Sequence, residues 1–185
     1  MGKVVGERVS AYLDEAEDPG DLPQDAGYHI FGQFSDYLES QGRGRYSEIR
    51  DDLRILMTEK VGVFRNEQTL REAIERLKEL KERAGEIELT SKSLVMNQAL
   101  VQLWELHHLL DVSMVIASGA LARKESRGAH YREDYPERSQ EFQYHTLAYM
   151  TEFGGVTLGR RPIDMSIFEA RGEHYERFGI IERKY

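Results

Sequence analysis

The feature that most constrains the fold of this chain is a long helical pattern from about Ser93 to Lys124. Its apolar residues lie on more than one face of the predicted helix: Leu100, Leu103, Trp104, Leu106, Leu109, Leu110, Val112, Val115, Ile116 and Leu121. A helix that is apolar on several faces is usually buried between other helices. We therefore expect this helix to be the central member of a helical bundle.

Two helical patterns precede it and supply the other members of the bundle. The first runs from about Tyr46 to Lys60, and the second follows Asn66, a favourable N-cap, and ends at Gly85. Short connections favour antiparallel neighbours. The sequence thus predicts a mainly α fold with an antiparallel three-helix bundle over residues 46–125. Its predicted core includes Leu53, Leu56, Leu70, Ile74, Leu77, Leu103, Leu106 and Leu110.

Residues 1–45 form a separate predicted region with a helix, a linker and a short helix. Apolar residues at helical spacing indicate the first helix from Lys3 to Glu15 and the second from Tyr28 to Ser40. Between them, residues 14–27 are acidic and contain proline and glycine, which is typical of a linker. The first helical pattern starts without a capping residue. This favours a chain that begins inside a larger protein, with an ordinary uncapped N-terminus as the alternative.

The third predicted region, residues 126–185, begins with a polar segment and continues as strands. Apolar and polar residues alternate from Tyr144 to Met150, a Gly-Gly pair follows, and a second strand pattern covers Val156 to Arg161. This order predicts a β-hairpin. Residues 162–185 are predicted to form an irregular tail across a surface, anchored by Ile167, Phe168, Tyr175, Phe178 and Ile180.

Composition and charge exclude several classes of function. The 185-residue chain has a formal net charge of −8, which disfavours phosphate backbones, so we predict no nucleic-acid partner. It contains no cysteine, which excludes disulfides, thiolate metal ligands and cysteine nucleophiles. The most apolar window, Leu100 to Ala122, is interrupted by charged residues and histidines and is not predicted to span a membrane. Any membrane association would have to come through another subunit.

Neither a metal site nor a nucleotide site is predicted. His107 and Asp111 lie four residues apart and could share a metal ion with a third ligand, but no other cluster is placed to complete the set. Hydrogen-bonded histidines within a bundle are the favoured interpretation. The glycine spacings contain neither a dinucleotide fingerprint nor a P-loop, so we expect no flavin or nucleotide cradle in this chain.

The segment from Lys124 to Pro136 is rich in charged, aromatic, histidine and glycine residues, which makes poor core material. Arg127 and His130 allow two interpretations, a catalytic pair or a loop whose side chains bond backbone carbonyls and a neighbouring domain. Because Tyr and Arg dominate binding hot spots, we favour a protein interface. Its candidate residues are Arg127, Gly128, His130, Arg132, Asp134, Tyr135 and His145.

Several motifs of this chain occur in the same order in one known family. Arg123 to Pro136 resembles the Glu-Ser-Arg-Gly-Ala-His segment of the succinate dehydrogenase and fumarate reductase flavoprotein subunit. Four further strings resemble the same family, namely Val61–Arg65, Leu103–Leu106, His145–Leu147 and Arg160–Pro162. The chain departs from the family at Ser139-Gln140, where two aspartates are usual, and at Phe142, often a tryptophan.

The resemblance implies that the chain is the C-terminal portion of an oxidoreductase subunit that interconverts succinate and fumarate with covalently bound FAD. The family's flavin-binding and catalytic residues lie upstream of the matched region, so none is assigned here and the chain alone is expected to be inactive. The family's helical domain is a spectrin-repeat-like bundle. The resemblance also implies that this domain braces the flavin-binding domain and contacts an iron–sulfur subunit. It further implies a cytoplasmic protein that is attached to the inner face of the cell membrane by partner subunits.

Two alternatives stand beside this interpretation. The C-terminal domain of L-aspartate oxidase shares the fold and a similar Ser-Arg-Gly string, but that chain usually ends sooner. The other alternative is a free-standing helical adaptor that binds protein and has no enzymatic role.

Overall fold

The computed structural model describes residues 2–18, 20–151, 154–164 and 166. The chain divides into two compact units, residues 1–33 and residues 34–185. Five helices lie within the described residues: α1 (Gly2–Glu15), α2 (Tyr28–Glu39), α3 (Tyr46–Lys60), α4 (Glu67–Gly85) and α5 (Gln98–Ala122). The strands are β1 (Phe64–Arg65), β2 (Tyr131–Arg132), β3 (Tyr144–Met150) and β4 (Val156–Pro162). The predicted mainly α fold with a bundle and a small hairpin is confirmed.

Helices α3, α4 and α5 pack around one apolar core. Antiparallel packing of α3 and α4 is visible in two ion pairs, because Lys60 at the end of α3 meets Glu72 early in α4, whereas Arg83 near the end of α4 meets Asp52 in α3. Six of the eight predicted core residues are buried, namely Leu53, Leu70, Leu77, Leu103, Leu106 and Leu110. The other two, Leu56 and Ile74, are partly buried against the same core. Full burial of a leucine side chain stabilises the fold by about 1.5–3 kcal/mol.

Helix α5 is shorter than the sequence predicts, because Asn97 caps it. The Asn97 side-chain oxygen accepts a hydrogen bond from the Leu100 N–H at 3.1 Å. Its amide nitrogen donates to the carbonyls of Ser91 and Ser93. Just before the cap, Met96 has a φ of 54°, which a right-handed helix cannot include. The predicted start at Ser93 was therefore wrong by about one turn.

One face of α5 is not covered by the bundle. Val101, Leu109, Val112 and Ile116 lie on this face and are 43% to 55% exposed. We call these four residues the α5 outer stripe. Glu105 and His108 share the face and separate Val101 from the other three. We expected α5 to be buried on several faces, and this expectation was wrong for the face that carries the α5 outer stripe.

The strands form two separate pairs. β3 and β4 make the predicted antiparallel hairpin, with Tyr144 opposite Pro162 at one end and Met150 opposite Val156 at the other. The short parallel pair of β1 and β2 was not predicted. It places the residues before α4 beside residues that follow α5. The five predicted tail anchors, Ile167, Phe168, Tyr175, Phe178 and Ile180, lie outside the described residues.

Across the described residues, no helix has the length and apolar character needed to cross a membrane.

Candidate functional site

The polar residues that follow α5 lie where the end of α5 meets the start of α4. We call residues 123–139 the polar segment. The pairing of β1 with β2 aligns Arg65 with Arg132, and the Glu133 N–H donates to the Arg65 carbonyl at 2.8 Å. This pairing fixes the segment against the residues that lead into α4.

Arg132 is fully buried at the C-terminal end of α5. Its Nη1 donates to the carbonyls of Ala120 and Leu121, at 2.9 and 3.1 Å. Those carbonyls have no partner within the helix, and a cation is favourable at this negative end of the helix dipole. Its Nε and Nη2 form a two-pronged ion pair with Asp134, at 2.7 and 2.8 Å. The donors of Arg132 are thus used inside the chain.

Asp134 connects this ion pair to the start of α4. Its Oδ2 accepts a hydrogen bond from the Glu67 backbone N–H at 2.9 Å, at the positive end of that helix. The bonds from Arg132 are the main reason that the pKa of Asp134 lies below its usual value, and the Glu67 N–H adds to the effect. Arg132 and Asp134 therefore join the ends of two helices with opposite polarity.

Glu125 is a second fully buried charged residue, and two arginines and one backbone N–H stabilise its carboxylate. Its carboxylate accepts bonds from Arg123 at 2.6 Å, from Arg127 at 2.8 and 3.0 Å, and from the Ser139 N–H at 2.9 Å. Burial alone would raise the pKa of Glu125. The bonds from Arg127, Ser139 and Arg123 outweigh that effect and hold this pKa below its usual value.

Arg127 and Gly128 lie in a tight turn within the polar segment. The backbones of Arg127 and His130 exchange two hydrogen bonds, at 2.8 and 3.0 Å, across Gly128 and Ala129. Gly128 has a φ of 63°, and a Cβ there would meet no atom within 4 Å. Glycine is therefore favoured here by the left-handed backbone conformation rather than by the close approach of another atom.

His130 contacts two arginines through its two ring nitrogens. Its Nδ1 lies 3.0 Å from Arg65 Nη1, which can only donate, so Nδ1 accepts and the proton is on Nε2. Nε2 then donates to the Arg123 carbonyl at 3.1 Å. Burial is the main cause that lowers the pKa of His130, and the charges of Arg65, Arg132 and Arg123 lower it further. The imidazole is therefore neutral at neutral pH.

Ser126 and Tyr135 complete the internal bonding of the segment. The Ser126 hydroxyl is buried, accepts from the Arg132 N–H at 2.9 Å and donates to the Tyr135 carbonyl at 2.8 Å. The Arg132 guanidinium carbon lies 5.1 Å from the centre of the Tyr135 ring. This distance is suitable for a cation–π contact.

Arg123 joins the polar segment to the hairpin. It donates to the carbonyls of Phe142 and Tyr144, at 2.7 and 2.8 Å, and to the Thr146 hydroxyl at 3.0 Å. His145 is exposed on the same strand, opposite Arg161. Arg123 therefore connects the hairpin to the end of α5 by hydrogen bonds.

Six of the seven candidate interface residues lie together in the polar segment through shared bonds or contacts: Arg127, Gly128, His130, Arg132, Asp134 and Tyr135. His145 lies apart on β3. Arg127 and His130 are both bonded within this chain, as the loop interpretation requires. Whether these residues form an interface stays a prediction.

Three residues that organise this site were not among the predicted site residues, namely Arg65, Arg123 and Glu125. A signal for Glu125 was present, because it stands between two arginines that are each two residues away. No local signal links Arg65 to His130, since the two lie 65 residues apart.

The histidines of α5 have aromatic and ionic neighbours. The Tyr37 ring stacks on His107 with centroids 4.9 Å apart, and Trp104 meets His108 edge-on. Asp111 pairs with Lys81 of α4. Within the described part of the chain, no group of three residues with metal-ligating side chains comes together.

Comparisons with known proteins agree with this architecture. Residues 50–185 match the family model described as fumarate reductase flavoprotein C-term. The chain is 33% identical over 168 residues to the fumarate reductase flavoprotein subunit of Haemophilus influenzae, and 36% identical over 167 residues to the succinate dehydrogenase flavoprotein subunit of Rickettsia conorii. Each alignment covers 90% of this chain and 28% of the relative. The chain thus spans less than a third of these proteins.

A solved structure shares the fold. The quinol–fumarate reductase described with menaquinol molecules superposes with a TM-score of 0.76 and 32% identity. The superposition covers 88% of this chain and 29% of that chain.

Proposed function

This chain belongs to the succinate dehydrogenase and fumarate reductase flavoprotein family, whose C-terminal region it matches, and we propose that it is the C-terminal domain of such a subunit. The parent protein is an oxidoreductase that interconverts succinate and fumarate with FAD held by its upstream part. In that protein the domain braces the flavin-binding domain and contacts an iron–sulfur subunit. The match of residues 50–185 to the family's C-terminal region carries the proposal.

The α5 outer stripe supports the bracing role. Its apolar residues are about half exposed and lie on one helical face. An exposed apolar patch of this kind usually marks an interaction site, since leaving it in water loses the free energy of burial. We assign this face to the flavin-binding domain.

The polar segment and the start of the hairpin supply the proposed contact with the iron–sulfur subunit. Gly128, Asp134 and His145 are exposed there, and Arg127 is partly exposed. Arg132 is buried, so its proposed role is to hold the segment in shape rather than to touch the partner. Side chains held by a rigid scaffold lose less entropy on binding than those of a free loop.

The assembled enzyme is proposed to lie on the cytoplasmic side of the cell membrane, attached through partner subunits. The similar quinol–fumarate reductase, which is described with menaquinol molecules, supports a membrane partner. This chain itself is proposed to bind no cofactor. Mixing it with excess FAD and separating it by gel filtration tests that assignment, and flavin that elutes with the chain would contradict it.

A chimera tests the function directly. Residues 1–185 replace the matching C-terminal region of the Haemophilus influenzae fumarate reductase flavoprotein subunit, and fumarate-dependent oxidation of a reduced dye is measured. We expect a chimera that retains flavin and reduces fumarate. V112D/I116D in the α5 outer stripe should abolish both, whereas I55D, at a comparably exposed residue of α3, should not. A flavin-loaded chimera without activity, or equal effects of the two changes, would contradict the proposal.

The iron–sulfur contact has a separate test. H145A removes an exposed side chain that bonds to no other described residue, so the free energy of unfolding should change by less than about 0.5 kcal/mol. In the chimera it should weaken capture of the iron–sulfur subunit, measured by pull-down. H29A, at an exposed histidine of α2, is the matched control. Equal capture by the two variants would remove His145 from the interface.

A further inference from the structure

A cavity of about 260 Å³ lies where the end of α5 meets the β1–β2 pair and strand β3. Its apolar lining includes Val115, Ile116 and Ala148. Its polar lining includes Arg65, His130 and Thr146. Arg123 also lines it, and no carboxylate does so among the described residues. The cavity therefore combines apolar side chains with cationic ones.

Arg65 has no counter-charge among the residues that the structure describes. Its Nε donates to the carbonyls of Val61 and Gly62, and its Nη1 donates to His130 Nδ1. No described carboxylate lies within ion-pair distance, and Nη2 donates to no described protein atom. Removing a cation from water without a partner is costly. Burial also lowers the pKa of Arg65. A partly buried guanidinium with donors unused by the described residues points to an anion that is not among those residues.

The neighbouring groups cannot supply this counter-charge. Arg123 is already paired with Glu125 and with the hairpin carbonyls. His130 is neutral, and its acceptor nitrogen is used by Arg65. The Thr146 hydroxyl accepts from Arg123, which leaves its own proton free to donate. The unused donors at the cavity are therefore Arg65 Nη2, the second proton of Arg65 Nη1, and the Thr146 hydroxyl.

We propose that this cavity binds a carboxylate carried on a short apolar stem. The two terminal nitrogens of Arg65 match the two oxygens of a carboxylate, and a charge-assisted pair of this kind is short and strong. The stem lies against Val115, Ile116 and Ala148. The carboxylate can belong to a small aliphatic acid or to an Asp or Glu side chain of a neighbouring polypeptide. This inference does not depend on the proposed redox function.

Nuclear magnetic resonance titration of the 185-residue chain tests the proposal. Sodium propionate replaces sodium chloride at constant ionic strength, and the Arg65, His130 and Thr146 side-chain signals are followed. We expect saturable shifts confined to these residues. Propionamide, which has the same shape and no charge, should give none. Shifts that are absent, that do not saturate, or that are equal with propionamide would overturn the proposal, and this comparison needs no variant.

Two variants assign the effect to Arg65. R65Q should weaken propionate binding by about tenfold or more, because a hydrogen bond to a charged group is lost. R54Q, at an exposed arginine of α3, should leave it unchanged. Circular dichroism checks that both variants fold. Equal affinity in folded R65Q and R54Q would overturn the assignment.

A second ligand distinguishes the two sources of the carboxylate. N-acetyl-aspartate amide presents the side-chain carboxylate of a polypeptide. If it binds more tightly than propionate, the site takes a polypeptide carboxylate. If propionate binds more tightly, the site takes a free aliphatic acid. Failure of both ligands to bind overturns the proposal, whatever the chimera shows.

Discussion

Replacing Arg132 by methionine should strongly destabilise the chain. Methionine keeps much of the side-chain length but removes every donor, so the carbonyls of Ala120 and Leu121 lose their partner. Asp134 loses its two-pronged ion pair at the same time. Breaking a buried ion pair by removing one partner costs about 3–5 kcal/mol. The Asp134 side chain is 29% exposed and keeps the Glu67 N–H, so we expect the lower end, about 3 kcal/mol.

Urea unfolding followed by circular dichroism measures this cost. With a slope of about 1–3 kcal/mol per molar urea, a loss of 3 kcal/mol lowers the midpoint by about 1 M or more. R54M is the matched control, because the Arg54 side chain is 70% exposed, and it should change stability by less than about 0.5 kcal/mol. The reasoning fails if R132M and R54M unfold at the same urea concentration.

Three further predictions concern the core, the turn and the titration of His130. L77A should lower the free energy of unfolding, measured in urea, by about 2–5 kcal/mol because Leu77 is fully buried. I55A changes a half-exposed residue and should lower it much less. G128A should cost about 1–2 kcal/mol because of its positive φ, whereas G119A, within α5, should not destabilise. Since the pKa of His130 is lowered on folding, its contribution is present above about pH 6.5 and is lost as the pH falls below that value. H130Q should flatten this pH dependence, and a profile identical to that of the unchanged chain would contradict the burial argument.

The sequence correctly predicted those helices and strands whose ends are determined by residues close to them in the chain. Helix α4 begins after Asn66 because that side chain accepts from the Thr69 N–H at 2.9 Å, and both the cap and the apolar spacing are visible in the sequence. The hairpin was predicted for the same reason, since alternation and a glycine pair are local. Helix α5 was predicted too long because its real cap, Asn97, is itself held by two serine carbonyls.

Charge pairing on α4 could not be predicted from spacing alone. Spacing predicts three pairs on α4, and the pair of Glu67 with Arg71 is confirmed. The predicted pairs of Glu72 with Arg76 and of Glu79 with Arg83 do not form, and Glu72 pairs instead with Lys60 of α3. Arg83 likewise pairs with Asp52 of α3. A pair four residues apart contributes only about 0.2–0.5 kcal/mol, so a charged side chain on a neighbouring helix can displace one of its members. The winning partner depends on which helix faces which, and a single sequence does not contain that information.

The burial of Arg132 is also a feature that the sequence alone does not predict. A charged residue is expected on the surface, but the structure buries Arg132 between the ends of two helices. Arg132 lies beside the carbonyls at the end of α5, and Asp134 lies beside an N–H at the start of α4. The stability of this pair therefore depends on which residue carries the positive charge. In an ordinary ion pair, exchanging the two charges restores the attraction. Here R132D/D134R would place a carboxylate at a negative helix end and a guanidinium at a positive one. We therefore expect the exchanged pair to be no more stable than R132M in urea, and recovery to the stability of the unchanged chain would show that the helix ends contribute nothing.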